Sequence, residues 1–238
     1  MRIDKNSFLL NCPIAHRGLW NSDIAENSAA AYINAAEKGY AIEIDLYGSK
    51  DGEIVVFHDK TLDRLTGEQG YIWDRTLAEL KELSLYGGAK IPTLEETLEI
   101  CCFKAPLLIE FKDQPNNKYL EKAVDTLKQY KGEFAVQAFN PLLLNNIRRR
   151  APEFIRGILA AKQITNENLI TKSVVKNMSF NFLCKPDFIS YEYHGFPLKK
   201  SKVKDKVTLA WTVTSQKILD SVKPYCDNII FENFIPNL

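Results

Sequence analysis

Short apolar runs alternate with helix-periodic segments from one end of this 238-residue chain to the other. Eight of the runs read as strands: residues 12–16, 41–46, 107–112, 134–139, 155–160, 187–191, 208–213 and 228–232. Residues 27–38 are alanine-rich and stop at Gly39, as a helix with a glycine C-cap does. Residues 118–131 place Leu120, Ala123, Val124 and Leu127 at helical spacing before Gly132. Asn140-Pro141 supplies an N-cap with proline at the first helical position, and 215–223 precede the last strand. Strands and helices alternating in this way predict an α/β fold, a (β/α)8 TIM barrel, with 1–238 forming one domain. An open doubly wound sheet is the competing architecture, but no G-x-G-x-x-G or P-loop follows any strand to support it.

The alternation is interrupted once. Asp51-Gly52, between 46–50 and 53–58, predicts a β-hairpin with a two-residue turn after the second strand. Paired positions then sum to 103, which sets His58 opposite Asp45. Residues 59–102 are too many for a simple crossover. Two capping boxes, Thr76-Leu-Ala-Glu79 and Thr93-Leu-Glu-Glu96, predict a short helical insertion there.

With 31 basic and 30 acidic residues the formal net charge is +1, so no general field draws nucleic acid or an anionic membrane. The five cysteines are odd in number, scattered and without C-x-x-C spacing. They read as small core residues in a reducing compartment. The apolar patch at 8–10 is too brief for a signal-peptide core, and no run approaches the ~20 residues that span a bilayer. A soluble cytoplasmic protein is expected, without stable membrane insertion or a nucleic-acid partner. Its oligomeric state stays open.

Two of the three histidines stand in polar signatures at the ends of apolar runs, His16 in Ala-His-Arg-Gly and His58 in Val-Val-Phe-His-Asp. Residues two apart on a strand share a face, so Glu43 and Asp45 point together while Ile42, Ile44 and Leu46 point away. The same parity joins Glu110 to Lys112. Three converging carboxylates repel, by about 4 kcal/mol for a pair ~4 Å apart at an effective dielectric near 20. Arg17 and Lys112 offset part of this, and a bound cation is the natural counterweight. Oxygen-only ligands favour Mg²⁺ or Ca²⁺. The histidines are then left for proton transfer. Either histidine alone would more often be a satisfied core or loop residue, and an E-x-D pair a solvated face. Polar groups interrupting apolar runs at matching strand ends are costly in a passive core, and this favours a site.

Other polar features have plainer readings. His194 is expected in a loop, Arg148-Arg149-Arg150 at a helix C-terminus, and the lysines of 199–206 in a solvated loop. Trp211 is expected to line the barrel, with a place in the substrate pocket as the alternative.

The ordered motifs His16-Arg17-Gly18, Glu26-Asn27, Glu43-Ile-Asp45, Lys50-Asp51-Gly52, His58-Asp59, Leu62-Asp63-Arg64, Thr66-Gly67, Ile91-Pro-Thr-Leu-Glu95 and Ile109-Glu-Phe-Lys112 resemble the glycerophosphodiester phosphodiesterase family. The dense resemblance runs from about Ile14 to Lys112 and thins to Ala138-Phe139, Gly157-Ile-Leu159 and Trp211-Thr-Val213. Departures from the family pattern are Ser28, Ala138, Thr214 and Phe231-Glu232-Asn233. The resemblance implies a TIM barrel that hydrolyses glycerophosphodiesters to glycerol 3-phosphate and an alcohol, in lipid and glycerol metabolism. It implies Glu43, Asp45 and Glu110 as ligands of a divalent metal, Mg²⁺ or Ca²⁺. His16 and His58 become the acid/base pair, their roles not apportioned, and Arg17 and Lys112 the phosphate-holding groups. The alternatives are a phospholipase D-like lyase giving a cyclic phosphate from lysolipids, and a catalytically silent barrel that binds phosphorylated ligands.

Overall fold

Asn140 Oδ1 accepts hydrogen bonds from the amides of Leu142 (2.9 Å) and Leu143 (3.4 Å), and with Pro141 at the first position it opens the helix Pro141–Arg150. Ser28 and Ser215 cap Ala29–Glu37 and Gln216–Val222 in the same manner. Both capping boxes form: Thr76 and Glu79 open Leu77–Glu82, and Thr93 and Glu96 open Leu94–Cys101. Each such cap is worth about 0.5–2 kcal/mol, enough to set where a short helix begins. The computed structural model describes residues 2–162 and 181–238.

Nine strands are present among these residues: β1 (Ile14–Ala15), β2 (Ala41–Gly48), β3 (Ile54–Val56), β4 (Leu107–Phe111), β5 (Phe134–Ala138), β6 (Arg156–Ala160), β7 (Phe188–Glu192), β8 (Val207–Val213) and β9 (Asn228–Phe231). Their order is β1-β9-β8-β7-β6-β5-β4-β2-β3, with a further β1–β2 pairing. This is the topology of a (β/α)8 barrel to which β3 adds a hairpin strand. The first strand is shorter than its apolar run suggests. Cys12 closes a short helix, Phe8–Asn11, capped by Ser7, so only the end of the run is left to pair.

Two compact units are distinguished by their internal contacts, Met1–Ile14 with Ala135–Leu238, and Ala15–Phe134. In the first, β6, β7, β8 and β9 pair in parallel, with Ile158 beside Ile189 and Ile189 beside Thr208. A buried hydrogen bond from Ser190 Oγ to Gln137 Oε1 (2.7 Å) satisfies both groups. Arg148 to Arg150 form the last turn of their helix, where cations meet its dipole favourably. His194 lies exposed in a turn after β7, 3.0 Å from Glu192. The lysine-rich stretch holds a short helix, Lys200–Val203, rather than loop throughout.

In the second unit β2 lies between β3 and β4, antiparallel to β3 and parallel to β4, with Asp45 beside Glu110. All of β2 is buried, so its carboxylates are as far from solvent as its isoleucines. The hairpin differs from expectation by one residue. Leu46 pairs with Val56 and Gly48 with Ile54, which puts Phe57, not His58, opposite Asp45. The cause is the turn. Ser49 N donates to Glu53 O (2.8 Å), enclosing Lys50-Asp51-Gly52 with Gly52 at φ +86°. A three-residue loop with a left-handed glycine replaces the two-residue turn. Ser49 Oγ fixes it by donating to Asp51 Oδ1 (2.6 Å) and accepting from Glu53 N (2.9 Å). β3 ends at Val56, so His58 stands outside the pleat and is not bound by its alternation. Phe57 instead joins a cluster with Tyr47, Leu62, Ile72, Leu80 and Ile91, which is the core of the insertion. No described helix is long and apolar enough to cross a membrane.

Candidate active site

The His16-Arg17-Gly18 loop leaves β1 in a conformation that few residues tolerate. Arg17 and Gly18 have φ of 60° and 80°, and Asn27, whose amide donates to Arg17 O (2.9 Å), has φ 51°. Non-glycine residues held in this left-handed region carry strain of the kind that collects at functional sites. Trp20 Nε1 donates to His16 O (3.0 Å) and pins the histidine backbone. At Gly18 a Cβ would meet the backbone carbonyl carbon of Ala31 at 2.8 Å. Gly18→Ala is therefore expected to cost about 1–3 kcal/mol. That is a Tm loss of several degrees in thermal unfolding, at about 2–4 °C per kcal/mol for a chain this size. An unchanged Tm would show that the loop adapts.

Glu43, Asp45 and Glu110 each present a carboxylate oxygen within 4.8 Å of the others. They are 1%, 0% and 6% exposed. Lys112 Nζ lies 2.8 Å from both Asp45 Oδ1 and Glu110 Oε1. Arg17 N donates to Glu43 Oε2 (3.2 Å), and Arg17 Nε lies 3.6 Å from Asp45 Oδ2. Asn27 Nδ2 donates to Asp45 Oδ2 (2.8 Å), and Tyr32 OH to Asn27 Oδ1 (3.2 Å), which fixes the amide and through it the carboxylate. Asp45 Oδ1 and Arg17 Nε are buried with charge contacts but without hydrogen-bond geometry.

The electrostatics follow from this crowding. Burial, then Asp45 and Glu110, hold Glu43 well above the usual carboxylate range. Burial also lifts Glu110, to about 6, against the pull of Lys112. For Asp45 burial is outweighed by Lys112, His58 and Arg17, which keep it well below that range. The triad is unrelaxed as three anions, and a cation of oxygen preference fits the donor set.

The two imidazoles face each other at 6.5 Å between ring centroids, with planes 77° apart. His58 Nδ1 is 2.6 Å from Asp59 Oδ1. An ionised carboxylate only accepts, so Nδ1 carries the hydrogen and Nε2 is left as the basic nitrogen. Burial, with Lys112 nearby, lowers this imidazole to about 4 despite Asp45 and Asp59.

His16, Arg17, Glu43, Asp45, His58, Glu110 and Lys112 are thus brought together, all in the Ala15–Phe134 unit. Trp211 lies on β8 of the other unit, edge-on to Phe139 at 5.6 Å, with Nε1 buried and no hydrogen-bond partner among the described residues. Four further participants have no assigned role in the sequence reading: Glu26, Asn27, Asp59 and Arg64. The adjacency of Glu26 to Asn27 and of His58 to Asp59 was the available signal. It could not show which charges meet.

Residues 16–223 match the model of the glycerophosphoryl diester phosphodiesterase family. A glycerophosphodiester phosphodiesterase of Caldanaerobacter subterraneus is 36% identical over 161 residues, 61% of this chain and 65% of that protein, a little under two thirds of its length. A Bacillus subtilis protein of the same name is 28% identical over 237 residues, 84% of this chain and 80% of its own. The structure of an Oleispira antarctica phosphodiesterase in complex with the product sn-glycerol-3-phosphate superposes with a TM-score of 0.78 at 26% identity, covering 94% of this chain and 93% of that one. The crystal structure of a Thermotoga maritima glycerophosphodiester phosphodiesterase gives 0.71 at 27% identity, covering 92% and 94%.

Proposed function

The chain belongs to the glycerophosphoryl diester phosphodiesterase family and to its enzyme class, and on that premise we propose that it hydrolyses glycerophosphodiesters to glycerol 3-phosphate and an alcohol. The observation that carries the mechanism is the buried Glu43–Asp45–Glu110 triad, which would hold a divalent cation, Mg²⁺ or Ca²⁺. Counted fully ionised, as metal ligands would be, the triad with Glu26 and Asp59 gives five carboxylates against the three cations Arg17, Arg64 and Lys112, an excess of two negative charges. An anionic diester would be repelled from such a site, and a divalent ion restores neutrality. When bound, the ion supplies positive charge to the phosphoryl oxygens, the kind of stabilisation that dominates where charge builds in a transition state.

The chain's own groups do the rest. Arg17, held by Glu26 through Nη1 (2.7 Å), and Lys112 present fixed cations to the phosphate. His58, neutral at pH 7, takes a proton at Nε2 from the attacking hydroxyl, whether water or the neighbouring hydroxyl of the glycerol. His16 then gives a proton to the leaving alkoxide; where the glycerol hydroxyl attacks, water next opens the cyclic phosphate, with the two histidines exchanging roles, to give glycerol 3-phosphate. Five scattered cysteines, none of them paired, support a reducing, cytoplasmic setting for this small-molecule chemistry.

Incubation with a panel of glycerophosphodiesters and each metal, with release of glycerol 3-phosphate measured, tests the reading. Phosphorus NMR separates direct hydrolysis from a lyase that stops at a cyclic product. No turnover of any diester under any metal would favour a silent binding barrel.

A pH profile tests the base. Because His58 is lowered to about 4, its neutral form persists well below the ordinary histidine range. At saturating metal, kcat/KM is expected to fall as pH drops through an acid limb well under 6.5, the unperturbed value. A limb at 6.5 or above would remove His58 as the base.

A further inference from the structure

Arg64 projects from the short helix Asp63–Thr66 and ends between two carboxylates. Its Nε and Nη2 donate to Asp59 Oδ2 (2.6 Å) and Oδ1 (2.9 Å). Its Nη1 and Nη2 donate to Glu26 Oε2 (2.8 Å) and Oε1 (2.7 Å). Both carboxylates are gripped in the two-pronged manner available to a guanidinium and not to an ammonium. Beyond them stand the two groups the mechanism needs in register. Asp59 Oδ1 meets His58 Nδ1 at 2.6 Å, and Glu26 Oε1 accepts from Arg17 Nη1 at 2.7 Å. A continuous chain of charge-assisted bonds therefore runs from the imidazole to the phosphate-holding arginine, with Arg64 at its middle.

We propose that Arg64 is a positioning residue: one guanidinium orients His58 through Asp59 and Arg17 through Glu26, so that a single side chain sets base and phosphate clamp together. The inference rests on the roles given above to His58 and Arg17. The energetics distinguish it from a stabilising ion pair. Glu26 is 2% exposed at its side chain, but Arg64 is 48% exposed, and half-exposed pairs add little to stability. What Arg64 contributes is angular restraint, and misplacing a reacting group by a fraction of an ångström is costly in rate.

The test is a set of variants, Arg64→Met, Arg64→Lys, Asp59→Asn and the double variant Arg64→Met/Asp59→Asn. Arg64→Met is expected to lower kcat at least tenfold and raise KM severalfold, with Tm within a few degrees of the native chain. Arg64→Lys should rescue little, because one ammonium cannot grip two carboxylates. The double variant should have nearly the kcat of Asp59→Asn alone, since the effect on His58 passes through Asp59. The KM rise of Arg64→Met, which passes through Glu26 and Arg17, should persist in the double variant. Native kinetics for Arg64→Met, full rescue by lysine, or kcat losses that multiply in the double variant would each overturn the proposal. A readout without turnover keeps it separate from the proposed function. The chain has three histidines, so imidazole ¹⁵N spectra of the labelled, substrate-free protein are tractable. His58 should be in the Nδ1–H tautomer in the native chain and shift toward a mixture in Arg64→Met. If no diester is turned over yet this shift occurs, the substrate reading fails while the positioning stands. If turnover is normal and neither spectrum nor rate responds to Arg64→Met, the positioning fails alone.

Discussion

His58→Ala and His16→Ala are each expected to lower kcat by about 10²–10⁴ while the chain still unfolds cooperatively near its native Tm. The size of the loss follows from what an imidazole does here. In the proposed mechanism it moves a proton in the transition state, and water in its place would be neither positioned nor matched in pKa. The small effect on folding follows from location. The His58 side chain is 31% exposed and outside β3, and its partner Asp59 keeps two bonds to Arg64 when the ring is removed. The two variants separate with a substrate whose leaving group is a nitrophenol. Such a group departs without protonation, so the variant lacking the acid should recover most of its rate, whereas the variant lacking the base should not. With His58 as the base and His16 as the acid, recovery is expected in His16→Ala and none in His58→Ala. The reverse pattern would exchange their roles, and near-native turnover of either variant on an ordinary diester would remove that histidine.

Strand parity makes the carboxylates legible in the sequence. Glu43 and Asp45 had to share a face, Glu110 and Lys112 another, and the parallel pairing of Asp45 with Glu110 brings the faces together. The alternation of elements likewise contained the barrel, because parallel strands need crossovers and crossovers need helices. The hairpin register departs from the expected one because Asp-Gly marks a turn without fixing its length. Ser49 decided it, by closing a three-residue loop through its own hydroxyl. The Arg64 bridge was beyond reach for a different reason. Glu26 and Arg64 are 38 positions apart, and an arginine in a short helix reads as solvated until its partners are seen. Periodicity reports which face a residue occupies. It does not report which charges on separate loops share that face, and the partners of Arg17 and His58 come from those loops.

Chelation is expected to abolish turnover, with Mg²⁺ or Ca²⁺ restoring it, and the triad predicts a second, opposite effect that activity cannot show. Without an ion, burial and two neighbouring anions hold Glu43 well above its usual range, so its ionised form opposes folding at neutral pH. Glu43→Gln removes that charge, keeps the side-chain size, and leaves an oxygen to accept from Arg17 N. The metal-free variant should therefore be more stable than the metal-free native chain, with the higher Tm of the two. Adding metal should invert the order. An ion at a hundred times its Kd stabilises the native chain by about 2.7 kcal/mol. That is ~5–10 °C in Tm for a chain of this length. The variant, with one anionic ligand fewer, should gain little and turn over poorly. Thermal unfolding of both proteins in chelator and in each cation therefore tests the triad independently of substrate. A metal-free Glu43→Gln variant less stable than the native chain would mean that the carboxylate is structural. Equal metal-induced shifts in the two proteins would place the ion elsewhere. The cation giving the larger shift in the native chain identifies the better fit, since a buried cluster of oxygen ligands discriminates by bond length, 2.0–2.1 Å for Mg²⁺ against 2.3–2.6 Å for Ca²⁺.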